Sequence, residues 1–215
     1  MTRRALDLSL YLVTDRSCAA RGGVLEVVRA AVRGGVTLVQ LRDPLAKTAA
    51  LVEQARALSS LLRPHGVPLI INDRVDVALA AGADGVHIGQ NDMRPEDARA
   101  LLGPDRILGL SISALSQLSA AKLGDVDYLG VGPVYETPTK PDADPAIGCE
   151  GLRAIAAHTR SPIVAIGGVK LSHAAELIAA GAQGIAVVSA ICAASDPEQA
   201  ARELASQVRR ALSSR

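Results

Sequence analysis

The sequence contains no phenylalanine and no tryptophan, and only three tyrosines. Single-stranded nucleic acids are held largely by stacking bases on aromatic rings, so this scarcity argues against that work. It also predicts a core of Ala, Val, Leu and Ile, the aliphatics that fill barrel interiors. An excess of either charge is missing too. Lys and Arg number 23 against 22 Asp and Glu, a formal net charge of +1. That balance offers no broad field for nucleic acid or anionic lipid. Cys18, Cys149 and Cys192 are odd in number, far apart and without CxxC spacing. Neither a zinc site nor a disulfide framework is expected from them; free thiols in a reducing compartment fit. No apolar run approaches the roughly 20 residues of a membrane span. The opening MTRRALDLSLYLVTD turns charged too soon for a secretory signal. The expectation is a cytoplasmic protein with neither membrane nor nucleic acid as partner.

What is present is a regular alternation. Eight short apolar runs, at 10–14, 36–41, 68–72, 85–89, 106–111, 127–132, 162–166 and 184–188, are each rich in Val, Ile or Leu and bounded by Gly, Pro or Asp. Near-continuous apolar runs mark strands buried on both faces of a parallel sheet. Ala- and Leu-rich segments of helical length lie between them, among them 45–62, 95–102 and 171–180, and 197–212 reads as a closing amphipathic helix. Strict βα alternation predicts a parallel sheet sheathed in helices. Eight units point to an α/β fold of the (β/α)₈ TIM-barrel type, a single domain over 1–215. An internal echo agrees: segments near 31–39, 79–88 and 178–187 share an Ala-rich helix end, a glycine, then a strand. Gly34, Gly82 and Gly181 fit the left-handed position that ends a helix. A doubly wound open sheet is the competing architecture, but it uses fewer strands and a GxGxxG turn after the first, which is missing here.

Strand C-terminal ends face the active site of such a barrel. Polar residues gather at these ends: Gln40-Leu41-Arg42-Asp43, Asn72-Asp73-Arg74, Gly89-Gln90-Asn91-Asp92, Ser111, the run from Gly132 to Lys140, Gly167-Gly168, and Ser189. Asp73 and Asp92 lie beyond neighbouring strands and suit a hard cation, since Mg²⁺ is usually held by one or two carboxylates plus ligand phosphates. The bland alternative makes both loop aspartates, with Asp92 capping the helix near Pro95. Arg42 and Lys140 offer positive charge to a phosphate or diphosphate. Gly167 and Gly168 permit close backbone approach, and the loops after strands 7 and 8 often bind phosphate in this fold. Thr137 and Thr139 suit either a ligand or a Pro-containing turn. His87, inside strand 4, reads as a hydrogen-bonded core residue, and no Ser–His–Asp arrangement can be placed.

In this order YLVTD, QLRD, INDR, DGVHIGQND, DYLGVGPVYETPTK, VAIGGV and GIAVVSAI resemble the signature of the thiamine-phosphate synthase family over about residues 10–191. That resemblance implies a transferase joining 4-amino-2-methyl-5-hydroxymethylpyrimidine diphosphate to 4-methyl-5-(2-phosphoethyl)thiazole carboxylate or its tautomer, with Mg²⁺ as cofactor. It implies that Gln40, Arg42, Asn72, Ser111 and Lys140 bind the pyrimidine diphosphate, that Leu41 and Asp43 are also substrate-binding, and that Arg42, Lys140 and Ser111 carry the catalysis. Asp73 and Asp92 then bind Mg²⁺. Thr137, Pro138 and Thr139, with Gly168, Val188 and Ser189, bind the thiazole phosphate. Two positions depart from the family pattern. Pro44 stands where a Lys is usual two residues after the Arg of QLR, and the segment after strand 5 reads Ser111-Ile112-Ser113 rather than Ser-x-His or Ser-x-Thr. Related barrels that act as thiazole tautomerases lack the metal aspartates and use a His at the position of Ser113. A non-catalytic phosphate-binding barrel is the remaining alternative. The partners expected are therefore small molecules, with a homo-oligomer left open.

Overall fold

The computed structural model describes residues 6–15, 17–18, 22–120, 123–139 and 144–215. All eight expected strands form: β1 (Leu10–Val13), β2 (Leu38–Leu41), β3 (Leu69–Asn72), β4 (Gly85–Ile88), β5 (Ile107–Ile112), β6 (Tyr128–Val131), β7 (Ile163–Ala165) and β8 (Gly184–Val187). Each pairs in parallel with the next, and β8 pairs with β1, so the sheet closes into a barrel. The helices are α1 (Val24–Arg33), α2 (Thr48–Leu62), α3 (Val75–Ala81), α4 (Pro95–Leu102), α5 (Leu115–Ala120), α6 (Gly148–Ala157), α7 (Ala174–Ala179), the short α8 (Ser189–Cys192) and the closing α9 (Pro197–Ser213). This is the (β/α)₈ barrel.

Two apolar layers divide the strand residues by parity. Leu10, Leu12, Val39, Leu41, Leu69, Ile71, Val86 and Ile88 belong to the larger layer between barrel and helices. Tyr11, Val13, Leu38, Ile70, Tyr128, Val164 and Ala186 form a second cluster in the lumen. Successive side chains of a strand alternate faces, which makes Gln40, Asn72, His87 and Ser111 lumen residues as well. The aliphatic core expected from composition therefore holds best outside the barrel, where Cys18 and Cys192 are buried among the aliphatic side chains. Two of the three tyrosines, with Gln40 and His87, occupy the inside, because a lumen that opens at one end onto a polar site can satisfy their polar atoms.

The end opposite the site shows a repeated device. Thr37 Oγ1, Asp84 Oδ2, Asp127 Oδ2 and Gln183 Oε1, each just before an even-numbered strand, accept the N–H of Leu10, Leu69, Leu108 and Ile163 on the preceding odd-numbered strand. Asp127 also takes Arg99 at 2.8 Å. Each clamp supplies an acceptor for a strand-start N–H and pins the register of neighbouring strands. The internal echo of the sequence is in part the echo of this clamp.

One expectation about helix ends fails. Gly82 (φ 66°) and Gly181 (φ 119°) have positive φ, but Gly34 lies in the right-handed region at φ −76°, and Gly35 (φ 103°) makes the turn instead. Gly34 is small for a different reason: a Cβ there meets the backbone O of Glu198 and lies 2.6 Å from the Cβ of Ala201, so the glycine lets α1 approach α9. Helix α2 also begins later than expected, because Asp43 Oδ1 accepts the N–H of Leu45 and holds the Asp43–Ala46 segment as a turn.

Candidate active site

Asn72 ends β3, and Asp73 follows it at φ 60°, the only non-glycine residue with positive φ among those described. Aspartate is one of the few L-residues that enters this region at modest cost. Its N–H donates to the carbonyl of His87 on β4 at 2.8 Å, so the unusual conformation extends the β3–β4 pairing and turns the side chain toward the next strand end. Asn72 Nδ2 donates to Asp73 Oδ2 at 2.6 Å, and the N–H of Gly89 donates to Asp92 Oδ2 at 2.7 Å. The two carboxylates thereby come within hydrogen-bonding reach of each other. Burial first, then the charge of Asp92 and a shared proton, lift the Asp73 carboxyl to about 6, against the pull of Asn72 and Arg42. No side chain of Asp92 caps α4; Arg94 occupies that position.

Arg42 follows β2 and is half-buried, its N–H donating to Thr14 Oγ1 at 3.1 Å. Thr14, the last residue of the expected 10–14 run, is fully buried, a role at the site that its place in the sequence did not single out. Gln40 is 4% exposed and points into the lumen, as does Ser111 on β5. Leu41 points the other way, into the layer beneath the helices, leaving only its backbone available to a ligand. Asp43 shapes the turn described above. Ser113 Oγ donates to Asp144 Oδ2 at 2.5 Å and so ties the β5 end to the segment before α6.

The segment after β6 runs back over β7: Val134 N–H donates to Ile166 O at 2.8 Å and Tyr135 N–H to Gly167 O at 3.0 Å. Gly167 (φ 94°) and Gly168 (φ 63°) pack directly beneath it, and a Cβ on Gly168 meets the carbonyl of Glu136 at 2.5 Å. The glycine pair is thus required by the loop above it. Tyr135 stacks on His173 with ring centroids 4.0 Å apart, and its hydroxyl meets Cys149 and Glu176 at 3.3 Å. Thr139 N–H donates to Thr137 Oγ1 at 3.3 Å, a turn that includes Pro138. Ser189 opens α8 immediately after Val188. Lys140 lies outside the described residues.

Spacing concealed one juxtaposition. Cys18 and Cys192 are both fully buried, 2.7 Å apart at sulfur, and Asp15 lies near them. All three cysteines are free.

A closed parallel barrel with paired carboxylates, an arginine and lumen amides at its strand C-terminal ends is the architecture of the (β/α)₈ class, whose enzymes carry their active sites at that rim. The comparisons with known proteins narrow the class. The sequence model of the family Thiamine monophosphate synthase matches residues 10–191. Thiamine-phosphate synthase from Azorhizobium caulinodans is 62% identical over 198 residues, 92% of this chain and 93% of that one. The protein of that name from Xanthobacter autotrophicus is 62% identical over 205 residues, covering 95% and 97%. The solved thiamine phosphate pyrophosphorylase from Pyrococcus furiosus superposes with a TM-score of 0.87 at 39% identity, over 96% of this chain and 98% of that one. The chain belongs to the thiamine monophosphate synthase family, and it is a transferase. No helix among the described residues is long and apolar enough to cross a membrane.

Proposed function

We propose that this enzyme forms thiamine phosphate by joining 4-amino-2-methyl-5-hydroxymethylpyrimidine diphosphate to 4-methyl-5-(2-phosphoethyl)thiazole carboxylate or its tautomer, releasing diphosphate. The observation that carries the reading is the Asp73–Asp92 pair. Two carboxylates braced by Asn72 and the Gly89 N–H, one of them lifted to about 6, are an arrangement that costs free energy unless a cation neutralises it. Their oxygen donors suit Mg²⁺. Bound there, the ion supplies positive charge that stabilises a departing diphosphate.

The chain's own groups supply the rest. Arg42, beside the carboxylates, grips the diphosphate and neutralises charge as the C–O bond breaks and its electron pair leaves with diphosphate oxygen. Lys140 adds a second positive charge to that grip. Gln40, Asn72 and Ser111 hold the pyrimidine in the mouth of the lumen while its exocyclic carbon is electron-deficient. The thiazole nitrogen then donates its lone pair to that carbon, forming the new C–N bond. Thr137, Pro138 and Thr139 after β6 seat the thiazole phosphate together with Gly168, Val188 and Ser189 at the loops after β7 and β8, where this fold commonly places phosphate. Proximity does the remaining work: two bound reactants replace a bimolecular encounter.

The test is diphosphate release and thiamine phosphate formation when both substrates and Mg²⁺ are supplied. Absence of both, in a protein that is folded and binds Mg²⁺, overturns the reading and leaves a tautomerase or a binding barrel.

A further inference from the structure

Five side chains make a continuous path across the barrel lumen. Gln40 Nε2 on β2 donates to Tyr11 Oη on β1 at 2.7 Å. Tyr11 Oη meets Tyr128 Oη on β6 at 2.9 Å, and Tyr128 Oη meets His87 Nδ1 on β4 at 2.9 Å. His87 Nε2 meets Ser111 Oγ on β5 at 2.9 Å. Tyr11 is 2% exposed, Tyr128 0%, Gln40 4% and His87 9%. The sequence makes room for this path. A Cβ on Gly109 collides with the Tyr128 ring and with His87 Nδ1, and a Cβ on Gly130 lies 2.8 Å from the imidazole. Two strands thus give up side chains so that a histidine and a tyrosine can meet, in a lumen that aliphatic residues could have filled at no cost in polar burial.

Each tyrosine hydroxyl has one proton, and a neutral imidazole has one donor and one acceptor. A path of such groups must run head to tail. Because Gln40 donates into Tyr11, the Tyr11 proton goes to Tyr128, and the Tyr128 proton goes to His87 Nδ1. The imidazole then carries its proton on Nε2 and donates it to Ser111 Oγ, whose own proton is left to point out of the path. Burial holds both phenols well above their ordinary ionisation range, so they remain neutral links. The opposite polarity is equally complete, but it requires the Gln40 amide to turn over and every proton on the path to move. The two ends of the path are therefore coupled. With Gln40 Nε2 turned inward, its Oε1 is left to accept from a ligand while Ser111 donates to one.

We infer that Tyr11, Tyr128 and His87 are positioning residues that fix the polarity of Gln40 and Ser111 together, so that the enzyme selects a ring offering an amino donor to Gln40 and an acceptor nitrogen to Ser111. This rests on the reading above that Gln40 and Ser111 touch the pyrimidine. A 4-oxo analogue of the pyrimidine diphosphate, with a carbonyl in place of the amine and a ring N–H in place of the acceptor, presents the reversed pattern and is discriminated against.

The polarity itself is measured without substrate. Nitrogen-15 NMR of the full-length enzyme is expected to show neutral His87 protonated on Nε2, and a mixture of tautomers in Tyr128→Phe. Protonation on Nδ1 in the unaltered enzyme overturns the inference. Kinetics then test its consequence. Tyr128→Phe is expected to lower kcat/KM for the amino substrate about tenfold, the loss of one well-aligned hydrogen bond, to narrow the preference over the 4-oxo analogue, and to leave the thiazole phosphate KM unchanged. Tyr11→Phe, which cuts the path at its other hydroxyl, is expected to do the same and serves if Tyr128→Phe folds poorly. A lowered Tm with selectivity intact in both variants overturns the inference. Failure of Gln40→Ala to raise the pyrimidine KM overturns the pyrimidine contact instead, while the tautomer still judges the path.

Discussion

Replacing Asp73 by asparagine removes one negative charge from a pair that the fold holds together, and leaves the backbone undisturbed because asparagine also tolerates the left-handed region that Asp73 occupies at φ 60°. Both hydrogen bonds survive in kind: the amide oxygen can still accept from Asn72, and the amide N–H can donate to Asp92. Lifting the carboxyl from its ordinary value to about 6 is roughly two tenfold steps in proton affinity, or about 3 kcal/mol. The carboxyl is partly open to solvent, and screening reduces this to about 1–2 kcal/mol. The folded protein holds this proton more tightly than the unfolded chain does. The penalty is therefore absent well below the ordinary carboxylate range, grows as pH rises through it, and is complete above about 6. In metal-free enzyme at pH 8, Asp73→Asn should accordingly raise Tm by roughly 2–8 °C for a chain of this size. About half of that gain should remain at pH 5. Saturating Mg²⁺ should reverse the comparison, because the unaltered enzyme then gains binding free energy that the variant has lost. Differential scanning calorimetry with chelator, then with Mg²⁺, at both pH values decides the matter. A variant less stable than the unaltered enzyme at pH 8 in chelator refutes the argument that burial and the Asp92 charge together penalise the ionised Asp73 carboxylate.

Asp92→Ala should leave the barrel folded and cut turnover at least a hundredfold at low Mg²⁺, since Asp92 packs on no part of the core; near-normal rates there remove it from the metal site. Lys47, exposed at the start of α2, lies three residues beyond Pro44 and is expected to replace the missing lysine. Lys47→Ala should then raise the KM for the pyrimidine diphosphate about tenfold, the worth of one charge-assisted contact, and the KM for the thiazole phosphate little; unchanged kinetics show a merely solvated side chain. Electron-withdrawing substituents on the pyrimidine should slow the chemical step strongly if the C–O bond breaks before the C–N bond forms, and single-turnover rates indifferent to such groups contradict that order.

Much of this protein is readable from the chain alone. Eight Val-, Ile- and Leu-rich runs alternating with helical segments dictate a parallel barrel, because strands buried on both faces cannot tolerate the polar alternation of an exposed sheet. Chain order also places Gln40, Arg42, Asn72, Asp73, Asp92 and Ser111 at or beyond the ends of β2, β3, β4 and β5, since every strand of a parallel barrel ends on the same face. Tertiary structure alone decided which way each side chain points and what it meets across the lumen. Continuous apolar runs hide strand parity, so nothing in QLRD separated lumen-facing Gln40 from outward-facing Leu41. The tyrosine–histidine path joins residues up to 117 positions apart, and the Cys18–Cys192 pair joins residues 174 apart. Local propensity carries no information about such contacts. They exist because closing the sheet brings β8 beside β1 and sets opposite strands facing each other across one narrow interior.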